Sequence, residues 1–187
     1  MAVFCAGFCS AQSLAGYYRQ GYFDSNDRGI YTLRTPLHPK GAVLVRLHAT
    51  TSIERIYLVI EKQDLKDFVR AMDTVRRVFD AKSEAAEADF PPVSIIWRDR
   101  QKQKWFESGA VTFRPQIRDF SGKDYLCFLG DAGCYFQESL HSGYYYLMFD
   151  HGEEIARLLD VLSADYTAKL LQREELVRRP FEKVKNY

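Results

Sequence analysis

The sequence predicts an α+β fold made of two tandem ββββα units, in which antiparallel sheets pack against amphipathic helices. Two observations support this prediction. An apolar strand-like run, a polar turn and a helix-like stripe of apolar residues occupy residues 56–79, and the same order returns at residues 145–166. Each of these stretches is preceded by short segments rich in β-branched and aromatic residues. Because β-then-α pairs are common, the matching order indicates an internal duplication without establishing it.

The first unit contains four predicted strands and one helix. The strands are residues 17–23, 30–35, 42–48 and 53–60, with a turn predicted at Asn26-Asp27-Arg28-Gly29 and a loop with two prolines at 35–41. Asp64 is a suitable N-cap for a helix whose apolar positions recur with helical spacing: Leu65, Phe68, Val69, Met72, Val75 and Phe79. We expect the helix to fade through the Ala- and Glu-rich stretch 81–89 and to stop before Phe90-Pro91-Pro92.

The second unit has the same order, with about one extra strand. Strands are predicted at residues 93–105, 109–117, 125–129, 134–138 and 144–149, with turns at 120–123, 130–133 and 141–143. The following helix has its apolar positions at Ile155, Leu158, Leu159, Leu162 and Tyr166.

These elements divide the chain into four segments. Residues 1–16 form an N-terminal segment that could be a targeting remnant, 17–89 the first unit with its linker, 90–169 the second unit, and 170–187 a charged tail. The two units are expected to form one domain. The first 23 residues contain one arginine and no acidic residue, a thin match to an organellar transit peptide, so a mitochondrial location is weakly favoured over a cytoplasmic or nuclear one.

The four cysteines and the apolar runs restrict the environment further. A chain of 187 residues does not need disulfides to fold, so Cys5, Cys9, Cys127 and Cys134 are expected to be free thiols in an intracellular protein. Cys5 and Cys9 have a spacing that could hold a metal, but no His or acidic residue lies nearby in the sequence to complete the site. The apolar runs are far shorter than the roughly 20 residues that span a bilayer, so no membrane segment is predicted.

Charge is unevenly distributed along a nearly neutral chain. The formal net charge is +1, from 26 basic and 25 acidic residues. The predicted strand regions 1–60 and 90–123 contain 13 basic and 6 acidic residues, whereas the helical parts and the tail are acidic. This distribution is typical of a protein that presents a sheet to phosphates and keeps its helices away from them.

One predicted strand concentrates the basic residues. In the segment 97–105, Arg98, Arg100, Lys102 and Lys104 occupy every second position, so an extended strand would project them as one cationic row about 20 Å long. A row of that length spans three or four nucleotides of an extended single strand. The alternative is an edge strand that its lysines and arginines protect from aggregation.

Aromatic residues accompany the basic ones in the predicted strands. Bases stack on exposed rings with little sequence preference, so rings next to basic residues are candidate stacking sites, although each could equally face the core. The candidate rings are Tyr31, Trp97, Trp105 and Phe113, and the further candidate phosphate ligands are Arg28, Arg34 and Arg114.

A family resemblance adds to this interpretation. Asn26-Asp27-Arg28-Gly29-Ile30-Tyr31 is similar to the Arg-Gly-aromatic turn of Pur repeats, and residues 56–72 resemble the strand-turn-helix that closes each unit. Lys40-Gly41-Ala42-Val43-Leu44 is similar to a strand of Whirly proteins, without its second lysine. Together the two units resemble the Whirly and Pur-alpha type of nucleic-acid-binding domain, including the kinetoplastid mitochondrial proteins that bind guide RNA. The resemblance implies dimers or tetramers with central helices and with sheets that face single-stranded DNA or RNA.

The sequence therefore predicts a non-enzymatic protein that binds single-stranded nucleic acid, with RNA favoured over DNA and organellar RNA processing as the expected role. The alternative is a protein-interaction or assembly subunit that retains the fold without the ligand. The four histidines lack metal-ligand spacing, and no Gly-rich phosphate loop or nucleophile elbow occurs. The acids of Asp150-His151-Gly152-Glu153-Glu154 fall where a helix N-terminus requires them. No cofactor or metal is expected.

Overall fold

The computed structural model describes residues 12–20, 24–33, 37–48, 53–82, 88–111, 114–129 and 145–163, and these residues form an α+β fold with antiparallel sheets. The elements in chain order are β1 (Gln12–Gln20), β2 (Asp24–Leu33), β3 (Ala42–Arg46), β4 (Ile53–Glu61), α1 (Leu65–Asp80), β5 (Ser94–Asp99), β6 (Trp105–Glu107), β7 (Arg114–Phe120), β8 (Lys123–Leu129), β9 (Tyr145–Phe149) and α2 (Gly152–Leu162).

The larger sheet has six antiparallel strands in the order β1-β2-β3-β4-β5-β6. Its first four strands followed by α1 have the predicted ββββα order, and α1 occupies the predicted residues because its apolar positions recur with helical spacing. Strands β5 and β6 join the same sheet, because β5 pairs with β4. The sheet thus crosses the predicted boundary between units at residue 90, and the described part of the second half does not form a separate four-stranded meander.

Two local predictions were wrong in this sheet. Asn26-Asp27-Arg28-Gly29 is not a turn but part of β2, where Tyr18 pairs with Arg28 and Tyr17 with Gly29. Pairing with β1 outweighs the local turn preference of Asn, Asp and Gly. The predicted strand 93–105 is a hairpin, because the chain reverses between β5 and β6. The predicted strand 134–138, the turns 130–133 and 141–143 and the tail lie outside the described residues, as does most of the N-terminal segment.

The smaller sheet has three strands in the order β7-β8-β9. The predicted turn at 120–123 is confirmed: Ser121 and Gly122 have φ of 58° and 81°, and the Gly122 N–H donates to Asp119 Oδ1 at 3.2 Å. Two successive positive φ angles match the right-handed twist of a two-residue hairpin, which is why a glycine is placed there.

The main core lies between the larger sheet, the smaller sheet and the two helices. It unites the buried faces of α1 and α2 with strand residues from both sheets. A chain of edge-to-face ring pairs links α1 to the smaller sheet: Phe68 with Phe90 at 5.5 Å, Phe90 with Phe128 at 5.7 Å, and Phe128 with Phe149 at 6.1 Å. Phe68, Phe128 and Phe149 are fully buried, and burial of such a ring contributes about 1.5–3 kcal/mol to folding. Neither helix of the described ranges is long and apolar enough to cross a membrane.

The opposite face of the larger sheet, here called the outer face, has its own buried cluster. Its members alternate along the strands with residues of the main core, as the period of two requires. They are Leu33, Ala42, Leu44, Tyr57, Val59 and Ile96, with Tyr31 and Trp105 packed against them. Within the part of the chain that the structure describes, strands alone contribute to this cluster, so the helices cover one face of the sheet and leave the outer face to other contacts.

Candidate nucleic-acid interface

The loop of the β5–β6 hairpin is built on Asp99. Asp99 Oδ1 accepts the backbone N–H groups of Gln101 at 2.9 Å and Lys102 at 2.7 Å, and the Asp99 N–H donates to the carbonyl of Lys104 at 3.0 Å. Gln103 adopts a φ of 52° and closes the loop. An aspartate that accepts the N–H groups two and three residues ahead stabilises a turn, which is the physical reason why the chain reverses here.

The hairpin replaces the predicted cationic row with a cluster at one end of the sheet. The side chain of Arg98 lies on the outer face next to Trp105, its pairing partner on β6. Arg100, Lys102 and Lys104, here called the hairpin cations, are exposed in or beside the loop. Alternating basic residues imitate the period of a strand, so the sequence pattern alone could not distinguish the two arrangements. The three residues lie within one loop, where Lys102 is over the ring of Phe106, whose strand partner Trp97 packs against the main core.

The hairpin cations and the arginines of α1 differ in whether carboxylates neutralise their charge. On α1, Arg76 contacts Asp73 at 2.8 Å and Arg77 contacts Asp73 at 2.6 Å. The hydrogen bond from Arg76 is the main cause that holds the pKa of the Asp73 carboxyl below its usual range. By contrast, Arg100 and Lys104 form no ion pair with any residue that the structure describes, and Lys102 Nζ lies 5.6 Å from the centre of the Phe106 ring.

Four aromatic side chains cross the outer face and are here called the aromatic stripe: Tyr17, Tyr31, Tyr57 and Trp105. Tyr31 contacts Tyr57 edge-on at 5.9 Å, and Tyr57 stacks on Trp105 at 6.2 Å with an angle of 29° between the rings. Tyr17, on β1, is 53% exposed, and Tyr31 and Trp105 are half-buried. The stripe therefore offers partly accessible rings at both sides of the sheet around a buried central tyrosine.

Arginines border the stripe at the end where the hairpin lies. Arg55, Arg98 and Trp105 occupy neighbouring positions on β4, β5 and β6, and Arg46 pairs with Tyr57 in the next row. Because paired residues of antiparallel strands project to the same side, these three arginines share the outer face with the stripe. Arg55 is 51% exposed and Arg98 is 29% exposed, and both lie within 4 Å of Glu54.

The remaining predicted site residues lie elsewhere. Arg28 is buried on the opposite face, where it donates to the carbonyl of Leu47 at 3.3 Å and contacts His48 Nδ1 at 3.1 Å, so it supports the β2–β3 region instead of the interface. Trp97 packs against the main core and stacks on Phe106 at 5.6 Å. Arg114 is exposed on β7 of the smaller sheet, away from the hairpin strands. Arg34 and Phe113 lie outside the described residues.

Four residues of this surface were absent from the predicted site. Tyr17, Arg46, Arg55 and Tyr57 share the outer face with Tyr31 and Trp105. Their signal was present in the sequence as a period of two: residues 55, 57 and 59 alternate with the core residues 56, 58 and 60. The period of two does not show which of the two faces the helices cover.

The far end of the outer face carries acidic residues instead. His38, 5% exposed, contacts Glu61 Oε1 through Nδ1 at 2.5 Å and Glu107 Oε1 through Nε2 at 3.7 Å, while Ser94 donates to Glu107 at 2.9 Å. The two carboxylates face different ring nitrogens, so a single ion could not be held by all three groups. The described residues contain no cluster of three or more metal-ligating side chains.

The acidic residues at the start of α2 occupy its first turn, as predicted. Glu154 accepts the backbone N–H of Asp150 at 3.2 Å, and Glu153 and Glu154 both lie in the turn where carboxylates stabilise the helix dipole. Asp150 also accepts a hydrogen bond from Lys123 at 2.5 Å. Burial tends to raise the pKa of the Asp150 carboxyl, but the hydrogen bond and charge of Lys123 help to hold that pKa below its usual range.

An open groove of about 1300 Å³ runs between the end of α1, the β7–β8 turn and the start of α2. Its lining mixes basic and acidic side chains, among them Arg76, Asp80, Lys123, Asp150 and Glu153. Several of these charges neutralise one another, as in the pairs Arg76–Asp80 at 3.1 Å and Lys123–Asp150 at 2.5 Å. The groove lacks the concentration of unneutralised charge found at the hairpin.

Comparisons of the chain with protein-family models, with curated proteins and with solved structures found no match.

Proposed function

We propose that the chain is a non-enzymatic protein that binds single-stranded nucleic acid, RNA in preference to DNA, through the hairpin cations and the aromatic stripe. The observation that supports this proposal most is the exposure of Arg100 and Lys104 without ion-pair partners in the described part of the chain, at the end of the sheet where Trp105 lies. Unneutralised cations beside rings are the two ingredients of a single-strand binding platform.

The dimensions of the outer face fit a short segment of nucleic acid. From Tyr17 on β1 to Trp105 on β6 the stripe crosses five strand intervals, or roughly 24 Å at about 4.8 Å each. That distance corresponds to about four nucleotides, within the range of such platforms. In this arrangement phosphates contact the hairpin cations and Arg55, while bases stack on the accessible faces of Tyr17, Tyr31 and Trp105.

We also propose kinship with the Whirly and Pur-alpha type of domain. The order β1-β2-β3-β4-α1 supports it, whereas the addition of β5 and β6 to the first sheet departs from two separate ββββα units. On the basis of this kinship we propose that the chain assembles as a dimer or tetramer. We also propose a role in organellar RNA processing, with the mitochondrion favoured over other compartments. Sedimentation of the purified chain measures the first, and localisation of the tagged protein tests the second.

Fluorescence anisotropy tests the binding proposal. A labelled single-stranded RNA of about 12 nucleotides is titrated with the chain between about 50 and 200 mM salt, with a DNA of the same sequence as a second arm. Each phosphate contact contributes about 0.7 to the slope of log K against log salt for a single strand. The variant Arg100→Gln/Lys102→Gln/Lys104→Gln should therefore lower the slope by roughly 2 and weaken binding roughly tenfold or more at low salt.

A matched control removes the same charge from the helices. The variant Arg70→Gln/Arg77→Gln/Arg157→Gln replaces three exposed arginines on α1 and α2 and should retain most of the affinity and slope. Equal losses in the two triple variants would indicate a general charge effect and contradict the proposed surface. No binding at low salt would favour the alternative of a protein-interaction subunit, and tighter binding to DNA would reverse the nucleic-acid preference.

A further inference from the structure

A β-bulge on β4 places an acidic residue within the proposed interface. Ile53 pairs with Asp99 and Arg55 pairs with Arg98, so Glu54 has no partner of its own on β5. A bulge of this kind re-aims the side chain of the extra residue relative to a regular strand. Here the carboxylate of Glu54 contacts arginines that flank the aromatic stripe, instead of following the alternation of β4.

The Glu54 carboxylate touches both of these arginines. Its Oε1 lies 3.0 Å from Arg98 Nη1 and 3.7 Å from Arg55 Nε. Arg98 Nη2 donates to Gln103 of the hairpin loop at 2.7 Å, and Arg98 Nε is buried without a hydrogen-bond partner among the described residues. One carboxylate oxygen thus occupies the position between two guanidinium groups that a phosphate oxygen would take.

We infer that Glu54 is a built-in competitor for phosphate, which neutralises Arg55 and Arg98 in the free protein and must be displaced when nucleic acid binds. This inference rests on the proposed function, and it assigns a regulatory residue to the same site. Ion pairs that are partly exposed to solvent are weak, so a phosphate can replace the carboxylate without disrupting the fold. Glu54 lowers the affinity for single strands and restricts binding to ligands that bring enough phosphates to overcome it.

Two substitutions distinguish the effect of the Glu54 charge from the effect of its contact with the two arginines. Glu54→Gln removes the charge and should tighten RNA binding about two- to fivefold at low salt, the range that corresponds to a partly exposed ion pair. It should also steepen the salt slope by about 0.7 for each arginine that becomes available. Glu54→Asp keeps the net charge but shortens the side chain by one methylene group, so it should also tighten binding. The control Asp67→Asn removes a carboxylate that contacts Arg70 on α1 and should leave the affinity unchanged.

A double-mutant cycle tests whether the effect passes through Arg98. In the Arg98→Gln background, Glu54→Gln should lose much of its gain, because Arg98 is the closer of the two guanidinium groups, at 3.0 Å against 3.7 Å for Arg55. An unchanged gain in that background, or no gain from Glu54→Gln and Glu54→Asp in a chain that does bind RNA, would overturn the inference and leave the proposed function standing. Failure of the unmodified chain to bind single strands at low salt would overturn both.

Discussion

The substitution Gly29→Ala should displace the ring of Tyr31. A Cβ added to Gly29 would lie 2.5 Å from the Tyr31 hydroxyl oxygen, 2.6 Å from Cζ and 2.7 Å from Cε2, whereas ordinary contacts are 3.4–4 Å. The φ of Gly29 is not in the left-handed region, so the backbone itself accepts alanine. Overpacking of this kind costs about 1–3 kcal/mol of unfolding free energy, which corresponds to a Tm lower by roughly 2–4 °C per kcal/mol.

The sign of the effect should change when the ring is absent. In the Tyr31→Ala background, Gly29→Ala should be neutral or stabilising by about 0.5–1 kcal/mol, because alanine is better than glycine in a strand interior once nothing obstructs its methyl group. Urea denaturation of the four proteins measures both effects. Gly109→Ala is the control, since no heavy atom lies within 4 Å of the added Cβ. A cost that persists in the Tyr31→Ala background would refute the position assigned to this ring.

Three further outcomes follow from the structure. Cys127 is buried, and burial raises the pKa of its thiol to about 12. Iodoacetamide at about pH 8 should therefore leave this thiol unmodified in the native protein and alkylate it in denaturant. Labelling of the native protein, detected by peptide mapping, would contradict this. Because the pKa of Asp150 is lowered by Lys123, the ionised carboxyl stabilises the fold above its usual pKa near 3.9, and this contribution is lost as pH falls. Asp150→Asn should therefore lower the free energy of unfolding by about 1 kcal/mol at neutral pH, as measured by denaturation. The difference in stability from the unmodified chain should disappear in acid, and a pH-independent difference would refute the assignment. Asp99→Ala removes two turn hydrogen bonds and should lower both stability, by about 1 kcal/mol, and RNA affinity, whereas unchanged affinity would separate the loop from the interface.

Sequence patterns correctly predicted the elements whose conformation depends on residues that are close together in the chain. Both helices were confirmed in the described residues, because apolar stripes with a period of 3.6 are specific to helices. The turn at Ser121 and Gly122 was confirmed because its backbone angles require such residues. By contrast, pairing of β5 with β4 joins segments on either side of α1 and a linker, and no local signal encodes that choice of partner.

The candidate site was only partly predicted, again because local patterns do not encode strand pairing and tertiary packing. The basic residues of 98–104 form a cluster, but the two-residue period of Arg98, Arg100, Lys102 and Lys104 concealed a hairpin whose turn is stabilised by Asp99. Asparagine, aspartate and glycine around Arg28 indicated a turn where pairing with β1 formed a strand. Arg55 and Tyr57 were not predicted because tertiary packing alone decides which face of the sheet the helices cover.

Photo-crosslinking identifies the residues that lie next to bound RNA. The chain is irradiated with a single-stranded RNA that contains a photoreactive uridine, and crosslinked peptides are mapped by mass spectrometry. Crosslinks are expected on the outer face, in peptides that contain Tyr17, Tyr31 or Trp105, and should be lost when the hairpin cations are neutralised. Crosslinks confined to α1, α2 or the β7–β8 hairpin, or crosslinks that persist without the hairpin cations, would contradict this expectation.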